Sequence, residues 1–124
     1  MIKKALIIED EFPLRNLLSR EMKREGFEVF EAENGIEGYK MAEKVSPDII
    51  FLDIVMPKMN GIESMQKIRE KNPYIPIIIL TNVGADDKIL QKIMEERPSY
   101  YIIKGDTKIE DVIKKAKEIL KIKD

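Results

Sequence analysis

Apolar residues in this chain come in two rhythms that alternate from one end to the other. Short runs of large apolar residues predict strands at Lys4–Ile8, Phe27–Glu31, Ile49–Asp53, Ile77–Thr81 and Tyr100–Ile103. The first, third and fourth are nearly continuous Ile, Leu, Val and Phe, which fits strands covered by helices on both faces. Phe27-Glu28-Val29-Phe30-Glu31 is more mixed and predicts an edge strand. Between the runs the spacing changes to that of a helix. Leu14, Leu17, Leu18 and Met22 form one stripe over about residues 12–25, stopped by Gly26. Ile36, Tyr39 and Met41-Ala42 mark a second helix after Asn34-Gly35. Ile62, Met65 and Ile68 mark a third, closed by Asn72-Pro73, and Ile89, Leu90, Ile93 and Met94 a fourth. Ile109, Val112, Ile113, Ala116, Ile119 and Leu120 give the clearest one. All five stripes are expected to be core. Strand and helix in alternation predict an α/β protein with a parallel sheet.

The strand runs do not fade out. They stop on polar residues: Glu9-Asp10, Asp53, Thr81 and Lys104. In a parallel sheet these ends share one edge, the edge where ligands of open α/β sheets bind. Pro57 cannot continue the strand that ends at Asp53, and Asn60-Gly61 supplies turn and cap chemistry before the next helix. If the first and third strands are neighbours, three carboxylates meet, an arrangement hard to sustain without a cation. Each residue alone has a plainer explanation. Asp10 before a helix with Pro13 near its start can be an N-cap, Thr81 a strand-end hydroxyl, Lys104 a solvated charge. Their joint occurrence, in order, favours a site.

Composition narrows the setting. With 124 residues, net charge −1 and no Cys, the chain is expected to be one domain, residues 1–124, without an attached output domain. It carries no electrostatic footprint for nucleic acid or anionic membrane and no thiolate metal site. No apolar stretch reaches membrane-spanning length, and the apolar start meets Glu9-Asp10 too early for a signal peptide. A cytoplasmic location is expected. Abundant Ile, Lys and Glu, with Gln only at 66 and 91, lean toward a thermophilic source, against which seven Met weigh mildly.

Over essentially its whole length the chain resembles the receiver domain of two-component response regulators. The matching features are Glu9-Asp10, the segment Leu52-Asp53-Ile54-Val55-Met56-Pro57-Lys58-Met59-Asn60-Gly61, Thr81, Lys104, the turn Ala32-Glu33-Asn34-Gly35, and Tyr101 three residues before Lys104. The resemblance implies a doubly wound, flavodoxin-like sheet of five parallel strands in the order 2-1-3-4-5 with helices on both faces. It implies that Asp53 accepts a phosphoryl group from a histidine kinase or phosphotransfer protein. Thr81 and Lys104 would serve the transferred group, and a downstream protein would read the result. Asp10, Asp53 and the backbone carbonyl of Val55 would hold Mg²⁺, or Mn²⁺, with Glu9 acting through water. This accords with a hard cation that takes oxygen ligands and with a carboxylate able to attack phosphorus. Such a chain assists its own phosphorylation and dephosphorylation and is not a turnover enzyme. Thr81 and Tyr101 are the expected switch residues: Thr81 moves toward the site and Tyr101 turns inward.

Three departures qualify the resemblance. Gly105 stands where the family has Pro, so Lys104 is expected to be less firmly aimed. Asn82 follows Thr81 where a small residue is usual, and Glu95-Glu96-Arg97-Pro98-Ser99 replaces a small turn. The first two support an alternative, a receiver-like scaffold that binds partners without phosphorylation. An aspartate-nucleophile phosphatase of the haloacid dehalogenase type would need an Asp where Val55 stands. A flavodoxin would need a phosphate loop where Glu9-Asp10-Glu11 stands. By resemblance Val55 and Val83 border the path of attacking water, and neither can orient it, so a long-lived phosphorylated state is expected.

Overall fold

The computed structural model describes residues 2–56, 58–81 and 87–122. Strands and helices alternate as β1 (Lys4–Ile8), α1 (Phe12–Arg24), β2 (Glu28–Ala32), α2 (Gly35–Val45), β3 (Ile49–Asp53), α3 (Gly61–Lys71), β4 (Ile77–Thr81), α4 (Asp87–Glu95), β5 (Tyr100–Ile103) and α5 (Ile109–Ile119). All pairings are parallel and the order is β2-β1-β3-β4-β5, as the family resemblance implies. The predicted second strand is displaced by one residue. Phe27 donates its N–H to the Met22 carbonyl and packs into the core as part of the helix exit, so pairing starts at Glu28 and runs to Ala32.

Side chains alternate across the sheet, and each face acquires its own core. Ala5, Ile7, Ile49, Phe51, Ile78, Leu80 and Ile102 meet Leu18 and Met22 of α1 and Val112, Ile113 and Ala116 of α5. Leu6, Ile8, Ile50, Leu52, Ile77 and Ile79 meet Met65 and Ile68 of α3 and Ile93 of α4. The central strands β1, β3 and β4 therefore need apolar residues on both faces between their polar ends, which explains their nearly unbroken runs. Truncating a central residue such as Phe51 to Ala would cost about 3–5 kcal/mol.

The expectation that every helical stripe is core fails in α4. Ile93 is buried, but Ile89 and Met94 are exposed. Ile93 joins the core cluster, and Leu90 is half-buried. The stripe of α1 is also incomplete as predicted, because Arg15 and Ser19 are buried beside Leu18 and Met22.

Candidate functional site

The alternation that builds the two cores also delivers the polar strand ends. Asp53 continues the Ile49–Phe51 series, Glu9 the Ala5–Ile7 series, and Lys104 follows Ile102, all on the side of the sheet covered by α1 and α5. Thr81 continues Ile77–Ile79 on the other side. Backbone bonds extend the ladder past the strands and hold these ends together: Glu9 N–H to Ala32 O at 3.0 Å, Ile54 N–H to Leu80 O at 3.3 Å, and Lys104 N–H to Thr81 O at 2.6 Å.

Glu9, Asp10 and Asp53 each offer a carboxylate oxygen within 4.8 Å of the others. Glu9 and Asp53 are buried and Asp10 is exposed. Lys104 Nζ lies 2.7 Å from Glu9 Oε1, 3.2 Å from Glu11 Oε1 and 3.4 Å from Asp53 Oδ2. Gly105 takes φ +87°, a left-handed route closed to proline. That route does not leave the ammonium loose; three carboxylates hold it. Among the described residues, Glu9 Oε1 is the buried side-chain oxygen without an aligned hydrogen bond, despite the nearby ammonium.

Electrostatics follow from this crowding. Burial, reinforced by the Glu9 charge and by contacts with the Glu9 and Asp10 carboxyls, pushes the Asp53 carboxyl up to about 7, although Lys104 pulls it down. Burial alone would lower the Lys104 ammonium, but Glu9, Asp53 and Glu11 outweigh it and the net direction is upward. One ammonium thus contacts three acids, with Asp10 beside them. An oxygen-only donor set that brings two buried carboxylates and an exposed one together fits a hard divalent cation such as Mg²⁺.

The loop after β3 is shaped around the site. Gly61 N–H bonds Ile54 O at 2.8 Å, and a Cβ on Gly61 would collide with the Asp53 carbonyl oxygen. Asn60 caps α3 by accepting from Glu63 N–H at 3.0 Å. Val55 N–H donates to Asp53 Oδ1 at 3.3 Å, while the Val55 side chain is 65% exposed at the rim. Asp10 is not a helix cap. The N-cap of α1 is Glu11, which makes no side-chain capping bond, so Asp10 has no such structural duty. Thr81 is buried opposite Ile103, and Tyr101 pairs with Ile79. Tyr101 thus sits on the face of Thr81, one pleat before it, roughly 6–7 Å along the strand direction. It is half-buried. The expectations on Pro57, Asn82 and Val83 lie outside the described residues.

Sequence reasoning missed three contributors. Ser64 Oγ donates to Gly35 O at 2.9 Å and ties α3 to the start of α2. Glu11 joins the Lys104 cluster. Arg15, 7% exposed, donates to the carbonyls of Glu9 and Asp10. A charge interrupting the Leu14–Leu18 stripe was the signal for Arg15; its acceptors become visible only with the β1–β2 register.

Residues 5–117 match the family model described as response regulator receiver domain. The chain is 39% identical over 105 residues to a chemotaxis protein CheY of Halobacterium salinarum, covering 84% of this chain and 86% of that one. It is 38% identical over 91 residues to the alkaline phosphatase synthesis transcriptional regulatory protein PhoP of Bacillus subtilis, covering 73% of this chain but 38% of that protein. A CheY-like response regulator receiver domain protein of Methanospirillum hungatei superposes with a TM-score of 0.91 at 25% identity, over 98% of this chain and 95% of that one.

Proposed function

The chain belongs to the response regulator receiver family, and on that premise we propose that it is a phospho-accepting switch charged at Asp53. The observation that carries the reading is the placement of Asp53, buried at the sheet edge between the oxygens of Glu9 and Asp10 and the Lys104 ammonium. One Asp53 carboxylate oxygen attacks phosphorus as the bond from phosphorus to the donor breaks, leaving an acyl phosphate. The donor is a histidine kinase or phosphotransfer protein. Lys104 neutralises an equatorial oxygen, and the Thr81 hydroxyl donates to another. Glu9, Asp10, Asp53 and the Val55 carbonyl would hold Mg²⁺ or Mn²⁺, which lowers the repulsion between the carboxylates and the incoming anion when bound. Burial of Asp53 keeps bulk water from the new bond. Phosphorylation shifts Thr81 and then Tyr101, so the face of α4, β5 and α5 changes for a downstream protein target.

On this reading the chain is a stoichiometric acceptor working in the cytoplasm, not a turnover enzyme. Among the described residues no helix is long and apolar enough to cross a membrane. The alternative, a scaffold that is never phosphorylated, draws on Gly105 and Asn82; the contacts of Lys104 with Glu9 and Asp53 favour the phospho-accepting reading over it.

The test is to expose the protein to acetyl phosphate, and separately to beryllofluoride, with Mg²⁺. A mass gain of one phosphoryl group and shifted NMR signals around Asp53 and Thr81 are expected, with neither in Asp53→Asn. A wild type that remains unmodified under both donors would leave the scaffold reading in possession.

A further inference from the structure

We propose that Arg15 is the positioning residue for the acidic pair: its guanidinium holds the turn between β1 and α1 so that Glu9 and Asp10 stay aimed at a divalent cation beside Asp53. The inference rests on the metal-dependent reading above and adds to it a device outside the carboxylates themselves.

The turn Glu9-Asp10-Glu11 places three acids in succession next to a fourth, Asp53. Lys104 offsets part of their repulsion at the side chains, and Arg15 acts on the backbone that presents them. The carbonyls of Glu9 and Asp10 are held by one atom, Arg15 Nη1, at 2.9 and 3.5 Å. The guanidinium is itself aimed. Its Nε donates to Glu31 Oε1 at 3.1 Å and its Nη2 to Glu33 Oε1 at 3.2 Å. The second Glu31 oxygen accepts from Ser19 Oγ at 3.3 Å. A continuous line of contacts therefore runs from edge strand β2, through Glu31 and Arg15, to the backbone that presents the metal-facing carboxylates.

Every nitrogen of the guanidinium is committed, each toward a different direction. A planar fork can do that, whereas the single ammonium of Lys cannot span the same acceptors. The plainer account is that Arg15 only fastens α1 to β2. The two accounts differ in what they predict for a folded variant: fastening alone lowers stability, whereas positioning lowers metal affinity. Partners behind a metal's direct ligands commonly change affinity by 10–100-fold when removed.

The experiment measures Mn²⁺ affinity from the EPR signal of free ion, alongside melting in chelator, for wild type, Arg15→Lys, Arg15→Met and Glu31→Gln. Arg69→Lys, altered at a buried arginine far from the carboxylates, serves as the control for destabilisation alone. Arg15→Lys keeps the charge and loses the fork; it is expected to bind Mn²⁺ about tenfold more weakly while still folded. Glu31→Gln, which leaves Arg15 present but less well oriented, is expected to bind more weakly than wild type and more tightly than Arg15→Lys, and it stands in should either Arg15 variant not fold. Arg69→Lys is expected to melt lower with unchanged affinity. Unchanged affinity in Arg15→Lys overturns the proposal, as does loss in Arg15→Met alone, which would be an effect of charge. If wild type takes beryllofluoride while Arg15→Lys binds Mn²⁺ normally, only the positioning role falls. If wild type binds no Mn²⁺, both readings fall.

Discussion

Two buried arginines stand at opposite edges of the same sheet. At the carboxyl edge, Arg15 lies among Glu31, Glu33 and the turn bearing Glu9 and Asp10. At the amino edge, Arg69 donates to four backbone carbonyls, those of Glu96, Asn72, Ile75 and Arg97 at 2.8, 3.4, 2.6 and 3.0 Å. Burial pushes the Arg69 guanidinium down, helped by nearby Arg97 and opposed by Glu96. Around it the other strand starts are also satisfied: Lys4 N–H by Asp48 Oδ2 at 2.7 Å and Ile77 N–H by Ser99 Oγ at 3.2 Å. The amino edge closes its own polar groups with backbone carbonyls, a hydroxyl and the single carboxylate of Asp48. The carboxyl edge keeps an excess of like charge around buried Glu9 and Asp53. A fold stabilised by two cores and a closed amino edge can hold such an excess at the other edge, and that excess is what attracts a cation.

The contrast is sharpest in Asp53→Asn, which should abolish acyl-phosphate formation altogether while leaving a folded protein. It breaks if mass spectrometry after acetyl phosphate still shows full loading. Next comes Arg69→Met. Leaving several buried carbonyls unpaired should remove about 3 kcal/mol of stability in urea unfolding, with no change in metal affinity. A matching loss of Mn²⁺ binding would mean that the two edges are coupled.

Smaller is the effect of Val55→Asn at the rim. An amide that can orient water should speed loss of the phosphoryl group by roughly tenfold, about 1.4 kcal/mol of barrier, followed by decay after the donor is removed. Equal lifetimes in wild type and variant would show that Val55 does not set the rate.

A dependence on pH follows from the same crowding. Asp53 titrates at about 7 in the folded chain instead of near 3.8. Between those values the folded state binds the extra proton, so this carboxyl makes stability fall as pH rises from about 4 to about 7, with a plateau beyond. Saturating Mg²⁺ offsets the repulsion and should raise Tm more at about pH 8 than at about pH 5. Asp10→Asn should shrink the gain, and Asp53→Asn should raise the metal-free Tm near pH 8. Equal gains at both pH values would contradict this charge imbalance.

Much of this was legible in the chain. Unbroken runs such as Ile49–Leu52 require a strand covered on both faces, and a run that stops on Asp53 requires a carboxylate at its end, because hydrophobic period and strand length are local properties. The strand order came from the family resemblance, since pairing partners are not written in any one segment. Only the tertiary structure could place Lys104 among Glu9, Glu11 and Asp53, because that cluster depends on crossovers joining residues about 93 positions apart. Only it could separate Arg15 from Arg69: each is a charge on a helix in the sequence, and what distinguishes them is that two carboxylates join the carbonyls around Arg15, whereas backbone carbonyls close around Arg69. It also decided that Ile89 and Met94 of α4 face outward, since helical spacing marks a stripe but not the width of the surface that covers it.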